Sequence, residues 1–360
     1  MTLRVGLICS APISAPGSMA AYRDVLIAAM ERFAPELKLE LLTLGLSPSE
    51  SHSRQRWHTL TMPLAARKAK TPDVWHVLDG SRAYIAFALR SAPVVITAHD
   101  IIPWLQAKGR FPGAPPTGLA ARWLWRGNAR AMHRAARVVC DSRSTADDLA
   151  KFFRLPSGAP VIGLPVRPTL AALARLPSTV ERERDLVLHV GNNSFYKWRE
   201  QVLQVFARLP PHCRLVMIGP PPTASLRAVV AGLALDQRVS FIDEPSDDAL
   251  ATYYRRAQLL LFPSRYEGFG WPVLEAMPFG LPLVASNRGS LPEVVGDACP
   301  MTDPNDVQRF AAQATELLTN DTLWRAASER ALAQAQRFSM SGFANSMANV
   351  YRSVAMEARR

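Results

Sequence analysis

The sequence predicts an α/β protein in which two domains are each built on a parallel β-sheet. Short apolar runs alternate with amphipathic stretches, and within each run the apolar residues are continuous. Strands of this kind, separated by helices, are typical of parallel sheets covered on both faces. The alternation stops at a proline-rich segment and then starts again. A chain of 360 residues with 48% hydrophobic content can bury two such cores.

Four apolar runs predict the strands of the first domain, and two amphipathic stretches predict helices between them. The strands are Leu3–Ser10, Val74–Leu78, Val94–Thr97 and Val138–Cys140, and the helices are Met19–Phe33 and Ser144–Phe153. The final helix, Ser341–Glu357, has no strand after it. We therefore expect residues 341–360 to pack back on the first domain, which otherwise comprises residues 1–165.

The second domain is predicted to comprise residues 166–340. Its strands are Leu186–Val190, Leu215–Ile218, Val239–Ile242, Leu259–Phe262 and Pro282–Ala285, and its helices include Trp198–Arg208 and Asp247–Arg256. Prolines at 165, 168 and 177 indicate a linker near residues 165–180. Ligands of open parallel sheets bind beyond the carboxyl ends of strands. We therefore expect two Rossmann-like domains that face each other, with site residues in the loops directly after strands.

Composition and charge narrow the classes of protein. The net charge is +12, which favours an anionic partner such as a phosphate-bearing substrate, an anionic membrane surface or nucleic acid. The four cysteines are dispersed and lack metal-ligand spacing, which favours a reduced, cytoplasmic setting. No apolar stretch approaches the roughly 18 residues that a membrane span requires.

The segment Glu267–Glu275 contains the most informative pattern in the chain. It follows the predicted strand Leu259–Phe262, contains Gly268 and Gly270, and begins a helix near Pro272. Glycines let the backbone approach a ligand, and the N–H groups of a first helical turn attract anions. The two carboxylates are thus predicted to contact different parts of one ligand. Taken alone, Glu275 could equally be an acid that complements the helix dipole.

This segment resembles the hallmark of the retaining glycosyltransferases of family 4, in which two glutamates flank a Gly-Phe-Gly loop. The match consists of Glu267, Gly268, Phe269, Gly270, Pro272 and Glu275. The resemblance implies the two-domain GT-B fold and a nucleotide-diphosphate sugar as co-substrate. It also implies that Glu267 contacts the sugar near the reacting carbon and that Glu275 binds the ribose. Amides of the loop through Trp271 are implied to meet the sugar and the diphosphate.

Other second-domain residues extend the resemblance. After the first strand the family has a glycine turn, often an arginine, and a lysine that pairs with the diphosphate. This chain has Gly191, Asn192 and Lys197 there, so an amide stands where a cation is often found. Phe241 and Ile242 lie where the family's backbone cradles the base, although core packing is the alternative for their side chains. Ser290 to Glu293 fits a helix capping box.

The first domain contributes two candidates. Gly17 follows the first strand, where the family has a glycine-rich loop that meets the donor phosphate, and a simple turn is the alternative. His99 ends the strand Val94–Thr97 and is followed by Asp100, as in the family, where the histidine lies near the transferred sugar. We expect His99 to contact a hydroxyl group and not to be a general base. Ser142, after the strand Val138–Cys140, could contact ligand or cap the next helix.

These features predict a glycosyltransferase that moves a sugar from a nucleotide donor to a glycan or glycolipid of a surface polysaccharide, and the resemblance implies that it retains the configuration of the sugar. No Asp-x-Asp motif precedes the site, so no metal is expected. The alternatives are a sugar-nucleotide epimerase or phosphorylase on the same fold, and a non-catalytic nucleotide-sugar-binding protein. A nucleic-acid partner is not expected, because no recognised reading motif is present and the charge is not gathered in one tail.

Residues 121–137 form a basic stretch with embedded tryptophans. Arginines on one side of a helix and tryptophan, leucine and methionine on another suit an interfacial helix beside anionic lipid. The alternative is an ordinary surface helix that packs its aromatic side chains inward. The first interpretation predicts peripheral contact with the inner face of a membrane.

Overall fold

The structure, a computed structural model, describes residues 2–10, 17–44, 61–89 and 91–360. The chain divides into two compact units. Unit 1 consists of Met1–Pro165 together with Met340–Arg360, and unit 2 consists of Val166–Ser339. The chain therefore enters unit 2 after Pro165 and returns to unit 1 for its last helix. No helix in the described part of the chain is both long and apolar enough to cross a membrane.

Unit 1 is built on a five-stranded sheet whose strands are all parallel, in the order β2-β1-β3-β4-β5. The strands are β1 (Leu3–Cys9), β2 (Leu37–Thr43), β3 (Val74–Val77), β4 (Val94–Ala98) and β5 (Arg137–Cys140). The α-helices include Ser18–Phe33, Ile102–Ala107, Leu119–Arg134, Arg143–Asp148 and Met340–Glu357, with a 3-10 helix at Gly80–Ala88 and a π turn at Leu149–Phe153. The predicted helix Ser144–Phe153 thus changes its winding after Asp148.

Strand β2 was not among the predicted strands. Its sequence alternates apolar and charged residues at its start, and among the described strands it pairs with β1 alone, at the edge of the sheet. An edge strand of a parallel sheet is partly solvated, so it lacks the continuous apolar run by which the central strands were identified.

Unit 2 is built on a six-stranded parallel sheet in the order β11-β10-β9-β6-β7-β8. The strands are β6 (Glu183–Val190), β7 (Arg214–Ile218), β8 (Val239–Ile242), β9 (Ala257–Phe262), β10 (Leu283–Ser286) and β11 (Met301–Thr302). The order of its strands is that of a doubly wound nucleotide-binding sheet, in which successive strands diverge from β6 and β9. The carboxyl ends of these two strands are therefore the expected ligand position.

Helices cover both faces of the second sheet. They are Pro168–Arg175, Arg199–Phe206, Ala224–Gly232, Asp247–Arg256, Trp271–Ala276, Leu291–Val295, Val307–Thr319 and Asp321–Ala335, with a 3-10 turn at Met277–Phe279. Two features of this unit differ from what the sequence predicted. Part of the predicted linker is the helix Pro168–Arg175, and the charged residues from Glu183 already belong to β6.

Helix Met340–Glu357 packs on unit 1 with Phe343, Met347 and Tyr351 buried. The Tyr351 hydroxyl lies 2.7 Å from Nδ1 of His76 on β3, and His76 Nε2 lies 2.7 Å from Thr97 Oγ1 on β4. Thr97 Oγ1 also lies 2.9 Å from the hydroxyl of Tyr22 on helix Ser18–Phe33. Burial, followed by the nearby His99, lowers the pKa of His76 to about 3, so His76 is neutral. A satisfied buried chain of polar groups thus joins the last helix to the sheet.

Candidate active site

A buried ion pair marks the carboxyl ends of β6 and β9. Lys197, in the loop after β6, donates from Nζ to Oε2 of Glu267, in the loop after β9, over 2.8 Å. The two residues are only 9% and 4% exposed. Glu267 Oε1 is buried with no hydrogen-bond partner among the described residues. A buried polar oxygen without a partner is uncommon, so the carboxylate retains one acceptor for a ligand at the divergence of the sheet.

The backbone around Glu267 is fixed by the loop after β10. Ser290 donates from both its N–H and its Oγ to the Glu267 carbonyl, each over 3.1 Å. Gly289 has φ +59°, and a Cβ there would lie 2.4 Å from the Glu267 carbonyl oxygen. Only glycine therefore fits against the Glu267 backbone. The predicted capping box is wrong, because the Ser290 side chain bonds Glu267 and does not cap helix Leu291–Val295.

Glycines also bring the loops after β6 and β7 together. Gly219 has φ +143°, and a Cβ there would lie 2.2 Å from the Gly191 carbonyl oxygen. The Gly191 N–H donates to the Ile218 carbonyl over 2.9 Å. At the predicted turn, the backbone of Gly191 therefore lies so close to the next loop that a second glycine, Gly219, is required there. Gly219 was not among the site residues predicted from the sequence.

Gly270 begins the helix after Glu267. Its φ of +94° is the left-handed region that favours glycine, and a Cβ there would lie 2.7 Å from the Leu291 side chain. Helix Trp271–Ala276 has only six residues, and Pro272 is in its first turn. The end charge of so short a helix is small, because it is the sum of few aligned peptide dipoles. Lys197 is therefore the stronger attraction for an anion at this position.

Glu275 lies in a second cluster of charged groups. Arg167 donates from Nε to Glu275 Oε1 over 2.5 Å and from Nη1 to Asp247 Oδ1 over 2.6 Å. The Tyr254 hydroxyl lies 3.3 Å from Glu275 Oε2, and the Glu275 side chain is 5% exposed. Burial raises the pKa of Glu275, and the Arg167 guanidinium opposes that rise. Arg167 lies outside every motif found in the sequence, so no local pattern pointed to it.

Several predicted donor-binding residues direct their side chains elsewhere. Phe269 is 7% exposed and packs edge-to-face on Phe338 at 5.8 Å between ring centroids. Phe241 packs against a hydrophobic cluster of unit 2, which is the core-packing alternative given above for its side chain. Asn192 is exposed, and its Oδ1 accepts the Ser194 N–H over 3.0 Å. Contacts from the backbone of Phe241, Ile242, Gly268, Phe269 and Trp271 stay predictions.

Two arginines near Lys197 were not selected from the sequence. Arg199 donates from Nη1 to Asn193 Oδ1 and to the Pro220 carbonyl, over 2.5 and 2.8 Å, and so joins the loops after β6 and β7. The Arg265 guanidinium lies 4.0 Å from the centroid of the Trp198 ring, and the backbone N–H of Arg265 donates to the Tyr196 carbonyl over 2.7 Å. These contacts join the loop that contains Lys197 to the loop that contains Glu267.

In unit 1, His99 lies at the end of β4, and its side chain is 18% exposed. Nδ1 contacts Asp141 Oδ2, and Nε2 lies 2.8 Å from the Leu78 carbonyl. A carboxylate and a carbonyl only accept, so both ring nitrogens donate and His99 is an imidazolium. Burial lowers the pKa of His99, but Asp141, then Asp79 and the Leu78 carbonyl, outweigh it and raise the pKa to about 9.

The charged state of His99 defines what it can do. An imidazolium whose two N–H groups are both engaged cannot accept a proton, which agrees with the expectation that His99 is no general base. Tyr22 holds the ring edge-to-face at 4.6 Å between centroids. His99 can offer Nε2–H to a ligand oxygen that replaces the Leu78 carbonyl. A contact of His99 with substrate remains a prediction.

The other first-unit candidates have structural explanations. Gly17 has φ +123°, is exposed, and is the residue before helix Ser18–Phe33. The rest of the predicted glycine loop, residues 11–16, lies outside the described residues. Ser142 accepts the Thr145 N–H over 3.1 Å, so it caps helix Arg143–Asp148.

The basic helix of the sequence spans Leu119–Arg134 and divides its tryptophans between two faces. Trp125 is 5% exposed, whereas Trp123 is 65% exposed and Leu119 is 73% exposed. The Arg126 guanidinium lies 5.2 Å from the Trp123 ring centroid. Trp125 thus packs inward, as the second interpretation expects, whereas Trp123 is exposed, and contact of this helix with a membrane stays a prediction.

No group of three or more histidine, cysteine, aspartate or glutamate side chains in the described part of the chain is placed to hold a metal ion. The expectation that no metal is required therefore stays a prediction.

Both halves of the chain match models of glycosyltransferase families. Residues 24–169 match the model of Glycosyltransferase Family 4, and residues 175–334 match the model of Glycosyl transferases group 1. Among solved structures, sucrose-phosphate synthase from Thermosynechococcus elongatus is similar, with a TM-score of 0.79 at 19% identity, over 98% of this chain and 99% of that one. The predicted α/β architecture and GT-B fold are confirmed.

Two curated relatives come from Escherichia coli. The O-antigen chain mannosyltransferase B is 42% identical over 114 residues, which are 32% of this chain and 30% of the relative. The serotype-specific mannosyltransferase WbdA is 26% identical over 320 residues, which are 82% of this chain and 38% of the relative. The chain therefore spans about a third of the length of these relatives. With the two family models matching its two units, the chain belongs to the group 1 glycosyltransferases.

Proposed function

We propose that the protein is a retaining glycosyltransferase that moves a mannosyl residue from a nucleoside-diphosphate sugar to a glycan or glycolipid acceptor, without a metal ion. Family membership supports the reaction class. The sugar is proposed from the likeness to two mannosyltransferases, one of which acts on the O-antigen chain by its name. We propose that this transfer is a step in the synthesis of a surface polysaccharide.

The observation that supports this function best is the buried pair of Lys197 and Glu267 at the divergence of the second sheet. A lysine ammonium is a compact charge that suits a diphosphate, and a carboxylate suits the positive character of a reacting sugar. The pair thus supplies both charges that transfer from a sugar diphosphate requires.

The chemistry follows from those two charges. The bond between the anomeric carbon and the β-phosphate oxygen breaks, and the acceptor hydroxyl oxygen bonds to the same carbon on the same face. The hydroxyl proton passes to the departing phosphate oxygen, so no separate base is required. Lys197 stabilises the charge that grows on the diphosphate, and Glu267 stabilises the positive character at the anomeric carbon.

A panel of nucleotide sugars tests the donor. A ligand that binds only the folded protein raises its melting temperature, so GDP-mannose should raise the Tm of the purified protein more than UDP-glucose, UDP-galactose or UDP-N-acetylglucosamine does. A shift with none of them would contradict donor binding altogether. A shift with a different sugar would retain the reaction class and refute mannose.

Glu267→Gln tests the chemistry, because the amide oxygen can still accept from Lys197 while the negative charge is lost. Transfer to acceptor should fall by about 100-fold, in the range found for loss of an electrostatic group at a reacting centre, with donor affinity nearly unchanged. Glu293→Gln, at an exposed carboxylate on the neighbouring helix, is the matched control and should keep wild-type transfer. Equal transfer by both variants, or an epimerised or phosphorolysed sugar as product, would refute the proposal.

We further propose that helix Leu119–Arg134 rests on an anionic membrane surface. Residues 101–140 contain seven lysines and arginines and no acidic residue. Leu119, Arg122, Trp123 and Arg126 are exposed on this helix. Exposed tryptophan and leucine beside arginines suit the boundary between lipid headgroups and acyl chains.

Vesicle flotation tests this contact. The protein should float with vesicles that contain phosphatidylglycerol and not with neutral phosphatidylcholine vesicles, because each basic residue near an anionic surface contributes about 1 kcal/mol. The variant Arg122→Gln/Trp123→Ala/Arg126→Gln should stay in solution. The control Arg208→Gln/Arg227→Gln removes two exposed charges from unit 2 and should float as the wild type does. Flotation of both variants alike would refute this surface.

A further inference from the structure

Arg167 lies outside the motifs identified in the sequence. It is the second residue of unit 2 and directly precedes helix Pro168–Arg175. Its guanidinium uses two donors in different directions. Nε donates to Glu275 and Nη1 donates to Asp247, over 2.5 and 2.6 Å. Arg167 therefore stands between two carboxylates and fixes one relative to the other.

The contacts form a chain from surface to interior. Thr169 donates its hydroxyl to Asp247 Oδ2, Asp247 accepts from Arg167, and Arg167 donates to Glu275. The Asp247 side chain is 31% exposed, Arg167 is 24% exposed and Glu275 is 5% exposed. An arginine fork is rigid and planar, so fixing one of its edges on Asp247 sets the direction of the other.

Glu275 depends on this cation for its charge. A carboxylate so little exposed is costly to ionise unless a cation and hydrogen bonds compensate. Arg167 is the cation that the described residues place on Glu275, and Tyr254 supplies the other hydrogen bond. An ionised carboxylate has about four lone-pair sites, so two contacts leave acceptors for further donors.

We infer that Arg167 is a positioning residue for nucleotide binding, which holds Glu275 ionised and oriented so that Glu275 accepts hydrogen bonds from the ribose hydroxyls of the donor. This inference rests on the proposed function. Without Arg167, Glu275 takes up a proton or turns away, and in either state it loses acceptors for the two hydroxyls. The protein then ceases to distinguish a ribose from a deoxyribose.

The test compares the affinity for ribonucleotide and deoxynucleotide in matched variants. Titration calorimetry gives Kd for GDP, 2′-deoxy-GDP and 3′-deoxy-GDP, or for the uridine series if the wild type prefers it. The wild type should bind the ribonucleotide at least 10-fold more tightly than one of the deoxy forms. Arg167→Gln should bind all three nucleotides with the weak affinity that the wild type has for that deoxy form. Arg167→Lys restores the positive charge and should recover part of the ratio between the affinities for ribonucleotide and deoxynucleotide.

Arg255→Gln is the matched control. Arg255 donates to the Leu173 and Leu176 carbonyls, so it also ties the segment after Arg167 to helix Asp247–Arg256 without touching Glu275. The control should lower Tm and keep the wild-type ratio of affinities. If Arg167→Gln does not fold, the milder variants Arg167→Lys and Thr169→Val allow the same comparison of ribonucleotide and deoxynucleotide affinities. Thr169→Val removes the hydroxyl that donates to Asp247.

The outcomes separate the two proposals. A wild-type ratio in Arg167→Gln overturns the role of Arg167 and leaves nucleotide binding intact. An equal loss of the ratio in Arg255→Gln also overturns it, because general loosening then explains the effect. Absence of any nucleotide binding by the wild type overturns the proposed function itself and this inference with it.

Discussion

His99 shows how one side chain acquires a fixed charge from its neighbours. Asp141 at the end of β5 and the Leu78 carbonyl after β3 both accept from its ring, so the imidazolium is the form that satisfies all three groups. The sequence indicated His99 by its place at a strand end. It gave no sign of Asp141 as a partner, because the contact depends on β4 and β5 being neighbours in the sheet.

The ion pair predicts a pH dependence. Below about pH 6.5 the His99 imidazole is charged in the folded and unfolded chain alike, so the pair stabilises the fold in full. As the pH rises toward about 9, the pKa of folded His99, the unfolded chain loses this proton first and the stabilisation disappears. The free energy of unfolding should therefore decline across this range, as measured by urea denaturation at several pH values.

Asp141→Asn should abolish this decline. Removing the carboxylate leaves burial as the main influence, so NMR titration should show the pKa of His99 near or below 6.5 in place of about 9. The variant His99→Gln shows which NMR signal belongs to His99, because that signal is absent from its spectrum. The variant Asp147→Asn, at an exposed carboxylate of the next helix, is the control. A wild-type pKa of His99 near 6.5 would contradict the assignment of an imidazolium.

Gly289 gives a second prediction at the scale of the residue. Gly289→Ala places a Cβ 2.4 Å from the Glu267 carbonyl oxygen, so the backbone of Glu267 must move. We expect transfer activity to fall more than 10-fold, because small displacements of a reacting group cost large factors in rate. Gly109→Ala has the same left-handed backbone, with φ +70°, but no atom within 4 Å. It should lose about 1 kcal/mol of stability and keep its activity; equal activity of both variants would contradict the fit.

At the scale of the element, the central strands were predictable because burial on both faces demands continuous apolar residues. The predicted β1, β4 and β7 agree to within one residue at each end. The edge strand β8 was also predicted, with both its bounds. The edge strands β2 and β11 were missed, since β2 is partly solvated and β11 has two residues.

The last helix contributes a buried hydroxyl to unit 1, and Tyr351→Phe removes it. His76 Nδ1 would then lack its partner at 2.7 Å in a fully buried position. An unsatisfied buried polar group costs about 1–3 kcal/mol, so the free energy of unfolding should fall by that amount in urea denaturation. Tyr253→Phe, at a partly exposed tyrosine of unit 2, is the control and should change it little. A stability loss below that of the control would refute the role of the hydroxyl.

At the scale of the whole molecule, the chain leaves unit 1 and returns to it, so unit 1 depends on residues from both ends of the sequence. Ending the chain after Ser339 removes a helix whose Phe343, Met347 and Tyr351 side chains are buried in unit 1. We expect this protein to aggregate on expression, because the apolar surface under the helix is then exposed. Ending the chain after Glu357 keeps every buried residue of the helix and should give normal yield; equal yield of both would contradict the dependence.

The candidate site was predictable where function constrains short stretches of sequence. Glu267, Glu275 and Lys197 were selected from their loops, and the structure brings Lys197 onto Glu267 although they are 70 residues apart. Gly289, Gly219, Asp141 and Arg167 were not selected. Each acts on a residue that is distant in the sequence, and no local pattern records which loop will lie against which.

The sequence by itself determined the parallel-sheet architecture, the two units, the return of the last helix and the chemical types gathered after the strands. It could do so because periodicity and motif are local properties of the chain. The tertiary structure alone decided which groups meet: the strand order that joins the loops after β6 and β9, the charge of His99, and the arginine that holds Glu275. These depend on contacts between distant segments, whose geometry is fixed only when the sheets are assembled.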